Sequence, residues 1–280
     1  MKTFLKDARW GRFILLEGDL ISFYMSEFGE WSETEVDLFR FILPKNGNCV
    51  EVGANMGTHS VPLSKICSEG RIFCFEPQRP IFQILCGNLA LNNCTNVFAR
   101  QQAVGSVDEV IEIETSNYDE AWNYGSFSIS EGFSVERKFE GWLQKELVEV
   151  VALDGDNAIS RLKNIDLLKI DVEGHELEVL DGCKNLVSRT KPDIFIEAHN
   201  KRVVSEFMGY IKRQGYIAYW FNAKRIRDDN FCGSKFRYKF IPLDVSIILR
   251  SPRKEPLPLP LFNDFSEIEQ RLLPILEKFP

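Results

Sequence analysis

Between residue 44 and about residue 100, short apolar runs alternate with longer amphipathic stretches, and each run is closed by glycine, proline or asparagine. Cys49-Val-Glu-Val52, Arg71-Ile-Phe-Cys-Phe75 and Asn96-Val-Phe-Ala99 have the length and β-branched or aromatic content of buried strands. Thr58 to Cys67 and Pro80 to Asn92 have the spacing of helices between them. Strands separated by helical spans require crossovers, and crossovers join parallel strands. The alternation resumes with Ile165-Asp-Leu-Leu-Lys-Ile170, a helix from His175 to Val187, and Asp193-Ile-Phe-Ile196. Ile217-Ala-Tyr-Trp-Phe221 and Val245-Ser-Ile-Ile-Leu249 then close the sheet. The pattern predicts an α/β fold of the Rossmann-like type, with a doubly wound, mostly parallel sheet of seven strands.

Three stretches fall outside the alternation. Phe13-Ile-Leu-Leu16 and Leu20-Ile-Ser-Phe-Tyr24 flank Glu17-Gly-Asp19 and predict a hairpin. Ser32-Glu-Thr-Glu35 reads as a capping box opening a helix through Leu43, stopped at Pro44-Lys-Asn-Gly47. Residues 106 to 150 form an insertion over the active site, with an antiparallel strand at Val110-Ile-Glu-Ile113 and an exposed loop at Trp122-Asn-Tyr-Gly-Ser126. Pro256-Leu-Pro-Leu-Pro260 suits neither a regular helix nor a central strand, and links to a helix near Ser266 to Glu277. The expected organisation is an N-terminal hairpin and helix over 1–43, a core domain over 44–250, and a Pro-rich link with a C-terminal helix over 251–280.

With 280 residues the chain can bury a substantial core. A formal charge of −7 argues against a broad basic field for long nucleic acids, so a small or neutral substrate fits better. The seven cysteines are odd in number and form no CxxC pair, which predicts free thiols and offers no zinc pattern. The first residues lack a signal-peptide core, and no apolar run reaches the roughly 20 residues of a membrane span. A cytoplasmic protein is the expectation.

The chemistry concentrates at strand ends. Glu51-Val-Gly-Ala-Asn-Met-Gly57 and Thr58 carry a strand through a glycine-hinged turn into a helix, at the edge where parallel sheets bind ligands. A dinucleotide fold wants glycine at position 55, where its backbone must approach a pyrophosphate. Asn55 therefore disfavours NAD and admits a cofactor without phosphates. About twenty residues on, Glu76 before Pro77 is spaced to accept hydrogen bonds from two ribose hydroxyls, and Gln102 and Ala103 follow the next strand beside the adenine position. In Leu167-Leu-Lys-Ile-Asp-Val-Glu-Gly-His175, the i, i+2 spacing of Asp171 and Glu173 places both acids on one side of an extended strand. The same acids also suit a helix cap and first turn. His59, His175 and His199 each follow a strand end on this edge; His59 suits the first turn of a helix, while His175 and His199 are candidate bases. Asp171, Glu197 and His199 have donors for a metal, but none is assigned. Trp122 and Tyr124 could stack on a substrate or anchor a lid.

The runs Glu51 to Gly57, Phe75-Glu-Pro77, Gln102 to Gly105 and above all Lys169-Ile-Asp-Val-Glu-Gly-His-Glu176 with Val179-Leu-Asp-Gly182 resemble the FkbM-type methyltransferases, from about Phe28 to Leu249. The resemblance implies the class I methyltransferase form of the fold, S-adenosylmethionine as cofactor, and methylation of a hydroxyl on a sugar, glycan or small natural product. It implies a cofactor turn shaped by Gly53, Asn55 and Gly57, with Glu51, Ala54, Thr58, Pro77, Gln102 and Ala103 around it, a ribose held by Glu76, and Asp171 and Glu173 beside the methionine end and the substrate. His199 or His175 as base, or Asp171 orienting the hydroxyl, remain alternatives. The rival readings are an NAD-dependent oxidoreductase and a non-catalytic adenosyl-binding module. A methyltransferase acting on base nitrogens would want an Asn/Asp-Pro-Pro-aromatic motif, which the chain lacks.

Overall fold

The computed structural model describes residues 1–134, 138–197, 213–236 and 243–262. The predicted C-terminal helix and His199 lie outside them. Seven strands form the main sheet: β3 (Cys49–Val52), β4 (Ile72–Phe75), β5 (Val97–Arg100), β9 (Leu167–Ile170), β10 (Asp193–Glu197), β11 (Ile217–Lys224) and β12 (Leu243–Arg250). Their order is β11-β12-β10-β9-β3-β4-β5. The pairings from β10 across to β5 are parallel, and β12 runs antiparallel to both β10 and β11. The sheet is thus a mixed one.

Every residue of β3, β4 and β9 is buried, which is the signature of central parallel strands covered on both faces. Two of these positions are charged. Glu51 and Lys169 are register partners on adjacent strands, so the two central charges face each other across one strand spacing. Helices α3 (Ser60–Ile66) and α4 (Arg79–Leu91) make the crossovers after β3 and β4. The single helix expected after β9 is two short ones, α5 (Glu176–Asp181) and α6 (Lys184–Thr190). The break falls at Gly182, where a Cβ would lie 1.9 Å from the carbonyl oxygen of Gly105. The chain passes too close there for any other residue.

The amino-terminal hairpin exists, but one strand earlier than expected: β1 (Thr3–Ala8) pairs with β2 (Gly11–Leu16), which holds the expected first strand. Leu20-Ile-Ser-Phe-Tyr24, expected as its second strand, belongs to helix α1 (Leu20–Phe28), capped where the Asp19 carboxylate accepts from the Ser22 N–H at 2.8 Å. It ends at Gly29 in the left-handed region. Helix α2 (Glu33–Ile42) begins as expected after Ser32, without the capping box. Ser32 itself adopts φ 42° and its side chain caps nothing, while Glu35 turns inward toward His59.

The insertion is a second small sheet, with β8 (Leu143–Val151) between β6 (Ala103–Val104) and β7 (Glu109–Ser116). The loop expected to be exposed is not: Tyr124 is fully buried in a short 3-10 turn, packed with Tyr118 and Phe133, and Trp122 meets Phe139 edge to face. These rings form a miniature apolar core, so the two aromatics anchor the insertion. The Pro-rich strap lies along the sheet edge, where Trp220 donates to the Pro260 carbonyl and Phe262 packs on its ring. No helix among the described residues is long and apolar enough to cross a membrane.

Candidate functional site

A cavity of about 510 Å³ opens along the carboxyl ends of β4, β3, β9 and β10. That is within the range of small-molecule sites. Its walls include Glu51, Gly53, Ala54, Asn55, Thr58, Glu76, Pro77, Gln102, Ala103, Asp171 and Glu173 from the sequence-based expectations. Gly57 does not reach the cavity; its positive φ turns the chain into α3, and a Cβ there would press on Leu85. His175 is also absent from the walls. It sits at the start of α5, with Nδ1 3.7 Å from the Glu178 carboxylate.

The turn after β3 is held by Glu76. One carboxylate oxygen accepts from the Asn55 N–H at 3.0 Å and the other from the Gln78 N–H at 2.9 Å. Asn55 takes a left-handed φ of 48°, which asparagine tolerates better than most residues, and its own side chain accepts from Met56 N. Gly53 has φ +83°, and a Cβ on it would lie 1.8 Å from the carbonyl oxygen of Asp171, so the tips of β3 and β9 touch through this glycine. Glu76 is almost fully buried, and burial pushes its carboxyl up to about 7.

These groups fit a nucleoside. Each Glu76 oxygen has one backbone partner fixing it and a second lone-pair direction to offer a ribose hydroxyl. At the same end, Gln102 donates its amide N–H to Glu149, while its Oε1 is buried without a partner. An amide oxygen so placed is an acceptor for an exocyclic amine such as adenine carries. Further along, the Nε2 of buried His59 also lacks a hydrogen-bond partner, and the ring lines the cavity. Burial and the nearby Lys169 charge hold this imidazole neutral, with its pKa lowered to about 3.

At the other end three carboxylates converge. Asp171, Glu173 and Glu197 each bring an oxygen within 4.8 Å of the others. Asp171 accepts from the Lys169 ammonium at 3.0 Å, and Lys169 also faces Glu51, whose Oε2 accepts from Ser60 Oγ at 2.6 Å. Burial raises the Glu51 carboxyl to about 7. Asp171 and Glu173 reach the cavity for a reason other than strand alternation. Strand β9 stops at Ile170, and Glu173 at φ 49° with Gly174 at φ 96° swings the chain around, so both acids project from a turn.

Trp31, His59, Gln78 and Arg225 line the cavity without having been singled out as site residues from sequence. Gln78 stands two residues beyond Glu76, and its side chain is held by Tyr118 and the Tyr124 carbonyl of the insertion. Nothing local marks Trp31, between α1 and α2, or Arg225, which reaches the site through the order of the strands.

The methyltransferase FkbM domain model matches residues 51–218. The chain is 30% identical over 194 residues to methyltransferase sdnD of Sordaria araneosa, covering 60% of this chain and 74% of that protein. It is 32% identical over 151 residues to the hexuronic acid methyltransferase AglP of Haloferax volcanii, covering 53% of this chain and 54% of that one. The chain therefore spans about half the length of AglP and about three quarters of sdnD. A solved structure of methyltransferase FkbM from Methylobacillus flagellatus aligns with a TM-score of 0.45 at 18% identity, over 73% of this chain and 44% of that one.

Proposed function

Because the chain belongs to the FkbM methyltransferase family, whose cofactor is S-adenosylmethionine, we propose that it methylates a hydroxyl oxygen on a sugar or small natural product. The observation that carries the reading is a single cavity with a nucleoside-binding end at Glu76 and Gln102 and a carboxylate-rich end at Asp171, Glu173 and Glu197. Its relation to a hexuronic acid methyltransferase supports a sugar acceptor.

When bound, S-adenosylmethionine supplies an electrophilic methyl group on a sulfonium. Glu76 would hold the ribose, Gln102 the adenine edge, and the turn Gly53-Ala-Asn55 with Thr58 the space between. Asp171, paired with Lys169 at 3.0 Å, would accept a hydrogen bond from the acceptor hydroxyl and aim its lone pair, while Glu173 accepts the proton. Such positioning and general-base help are the main resources of a group-transfer site without a covalent intermediate. A carboxylate end suits a hydroxyl better than an anionic nucleophile, which it repels.

Incubation with S-adenosylmethionine carrying a deuterated methyl group, with hexoses and hexuronic acids as acceptors, is expected to give a labelled methyl ether by mass spectrometry. Asp171→Asn and Glu173→Gln are each expected to lower kcat by ~10²-fold or more. Label recovered on nitrogen or carbon, or unaltered turnover in both variants, would overturn the reading.

A further inference from the structure

We propose that Tyr118 is a positioning residue for the cofactor's ribose: its hydroxyl fixes the Gln78 amide, and Gln78 in turn fixes the Glu76 carboxylate that would hold the ribose. The inference rests on the methyltransferase reading above. The contacts run inward from the insertion. The Tyr118 hydroxyl donates to Gln78 Oε1 at 3.1 Å, and Gln78 Nε2 donates to the Tyr124 carbonyl oxygen at 3.2 Å. The backbone N–H of the same glutamine donates to Glu76 Oε1 at 2.9 Å. Tyr118, Gln78 and Glu76 are all buried, so bulk solvent cannot replace a partner that is lost.

The direction of each bond is set by chemistry. A reversed Gln78 amide would put its oxygen against the Tyr124 carbonyl, two acceptors with no proton between them. Burial pushes the Tyr118 hydroxyl above the ordinary tyrosine range, so it stays protonated and remains a donor. Both the backbone and the side chain of Gln78 favour the charged form of Glu76 against the effect of its burial.

The tyrosine is itself locked in place. Tyr118 takes a left-handed φ of 54°, rare for a bulky residue, and its ring centroid lies 4.6 Å from that of Tyr124 and 5.9 Å, edge to face, from that of Phe133. The insertion also abuts the other Glu76 partner. A Cβ added at Gly125 would lie 3.4 Å from Asn55 Nδ2, and the Asn55 N–H is the second backbone donor to Glu76. Gly125, Phe127 and Ile129 of the same stretch wall the cavity. The insertion therefore meets the cofactor end both as a wall and as a brace behind Glu76. Without the Tyr118 hydroxyl, the terminal torsion of Gln78 is free to turn, and ordering the Glu76 carboxylate becomes a cost of binding.

Calorimetric titration of S-adenosylhomocysteine and of its 2′,3′-dideoxy analogue into the wild type and Tyr118→Phe tests this. The variant keeps the ring and removes one oxygen. S-adenosylhomocysteine is expected to bind the variant ~5-fold or more weakly than the wild type. The dideoxy analogue, with no ribose hydroxyl for Glu76 to hold, is expected to bind both proteins alike. Gln78→Met is expected to show the same selectivity, and adding Tyr118→Phe to it is expected to cost nothing further. An equal loss for both ligands would mark a merely structural role and overturn the proposal. So would unchanged affinity of Tyr118→Phe for S-adenosylhomocysteine, or losses that add in full in the double variant. A wild type that binds both ligands equally would remove Glu76 from the ribose and this proposal with it, whereas a wild type that binds neither would sink the methyltransferase reading itself.

Discussion

Gly53→Ala is expected to abolish cofactor binding and to destabilise the fold by ~2–5 kcal/mol. Two costs add at this position. A left-handed φ of +83° strains any residue bearing a Cβ, and that Cβ would lie 1.8 Å from the Asp171 carbonyl oxygen. The obstructing atom is backbone, so no side chain can rotate away, and relief requires the tips of β3 and β9 to part. Those tips carry the cofactor turn on one side and Asp171 on the other. Separating them displaces Asn55, whose N–H is one of the two donors fixing Glu76. Urea unfolding together with titration of S-adenosylmethionine measures both effects. Wild-type stability with wild-type affinity would show that the contact between the tips is not the constraint the geometry describes.

Lys169→Met is expected to cost a further class of energy, ~3–5 kcal/mol, because it leaves buried acid without its counter-charge. Lys169 is 1% exposed in the middle of β9, facing Glu51 across the strand pair and holding Asp171 at 3.0 Å. The loss depends on pH in a direction set by Glu51. Burial raises that carboxyl from an ordinary 4.5 to about 7, so its protonation stabilises the fold fully below the unfolded value and this contribution disappears as pH rises through about 7. Removing Lys169 raises the Glu51 carboxyl further. The difference between variant and wild type is therefore larger at about pH 8 than at about pH 6. Adding Glu51→Gln to the variant removes the stranded charge and is expected to restore part of the stability and flatten the pH dependence. A loss below about 1 kcal/mol that does not change with pH would contradict this account.

Much of the main sheet was legible because its strands obey two constraints at once. Cys49-Val-Glu-Val52 and Ile72-Phe-Cys-Phe75 are short, nearly all apolar and closed by turn residues, as strands buried on both faces must be. The acid at Glu76 was legible from its distance to the glycine turn. Leu20-Ile-Ser-Phe-Tyr24 was misread as a strand because it looks extended over so short a window, whereas the chain is helical over Leu20–Phe28. The buried positions Ile21, Tyr24, Met25 and Phe28 have helical spacing once Asp19 is recognised as a cap. Trp122 and Tyr124 were taken toward the surface because turn residues surround them, and only the clustering of Tyr118, Phe133 and Phe139 from distant positions makes that segment a core. Asp171 and Glu173 were singled out through strand alternation, whereas a left-handed turn at Glu173 brings them to the cavity. Arg225 was invisible for a different reason: its relation to the site exists only in the strand order, where β11 follows the antiparallel β12 and returns to the same edge.

The most direct test of the account is titration of S-adenosylmethionine into the protein and into Glu76→Ala, with NAD as a control. Glu76 joins the turn after β3 to the end of β4 and faces the cavity. The account predicts saturable binding to the wild type, none for NAD, and an affinity reduced by ~10²-fold or more when the carboxylate is removed. Absence of binding, or binding indifferent to Glu76, would contradict it.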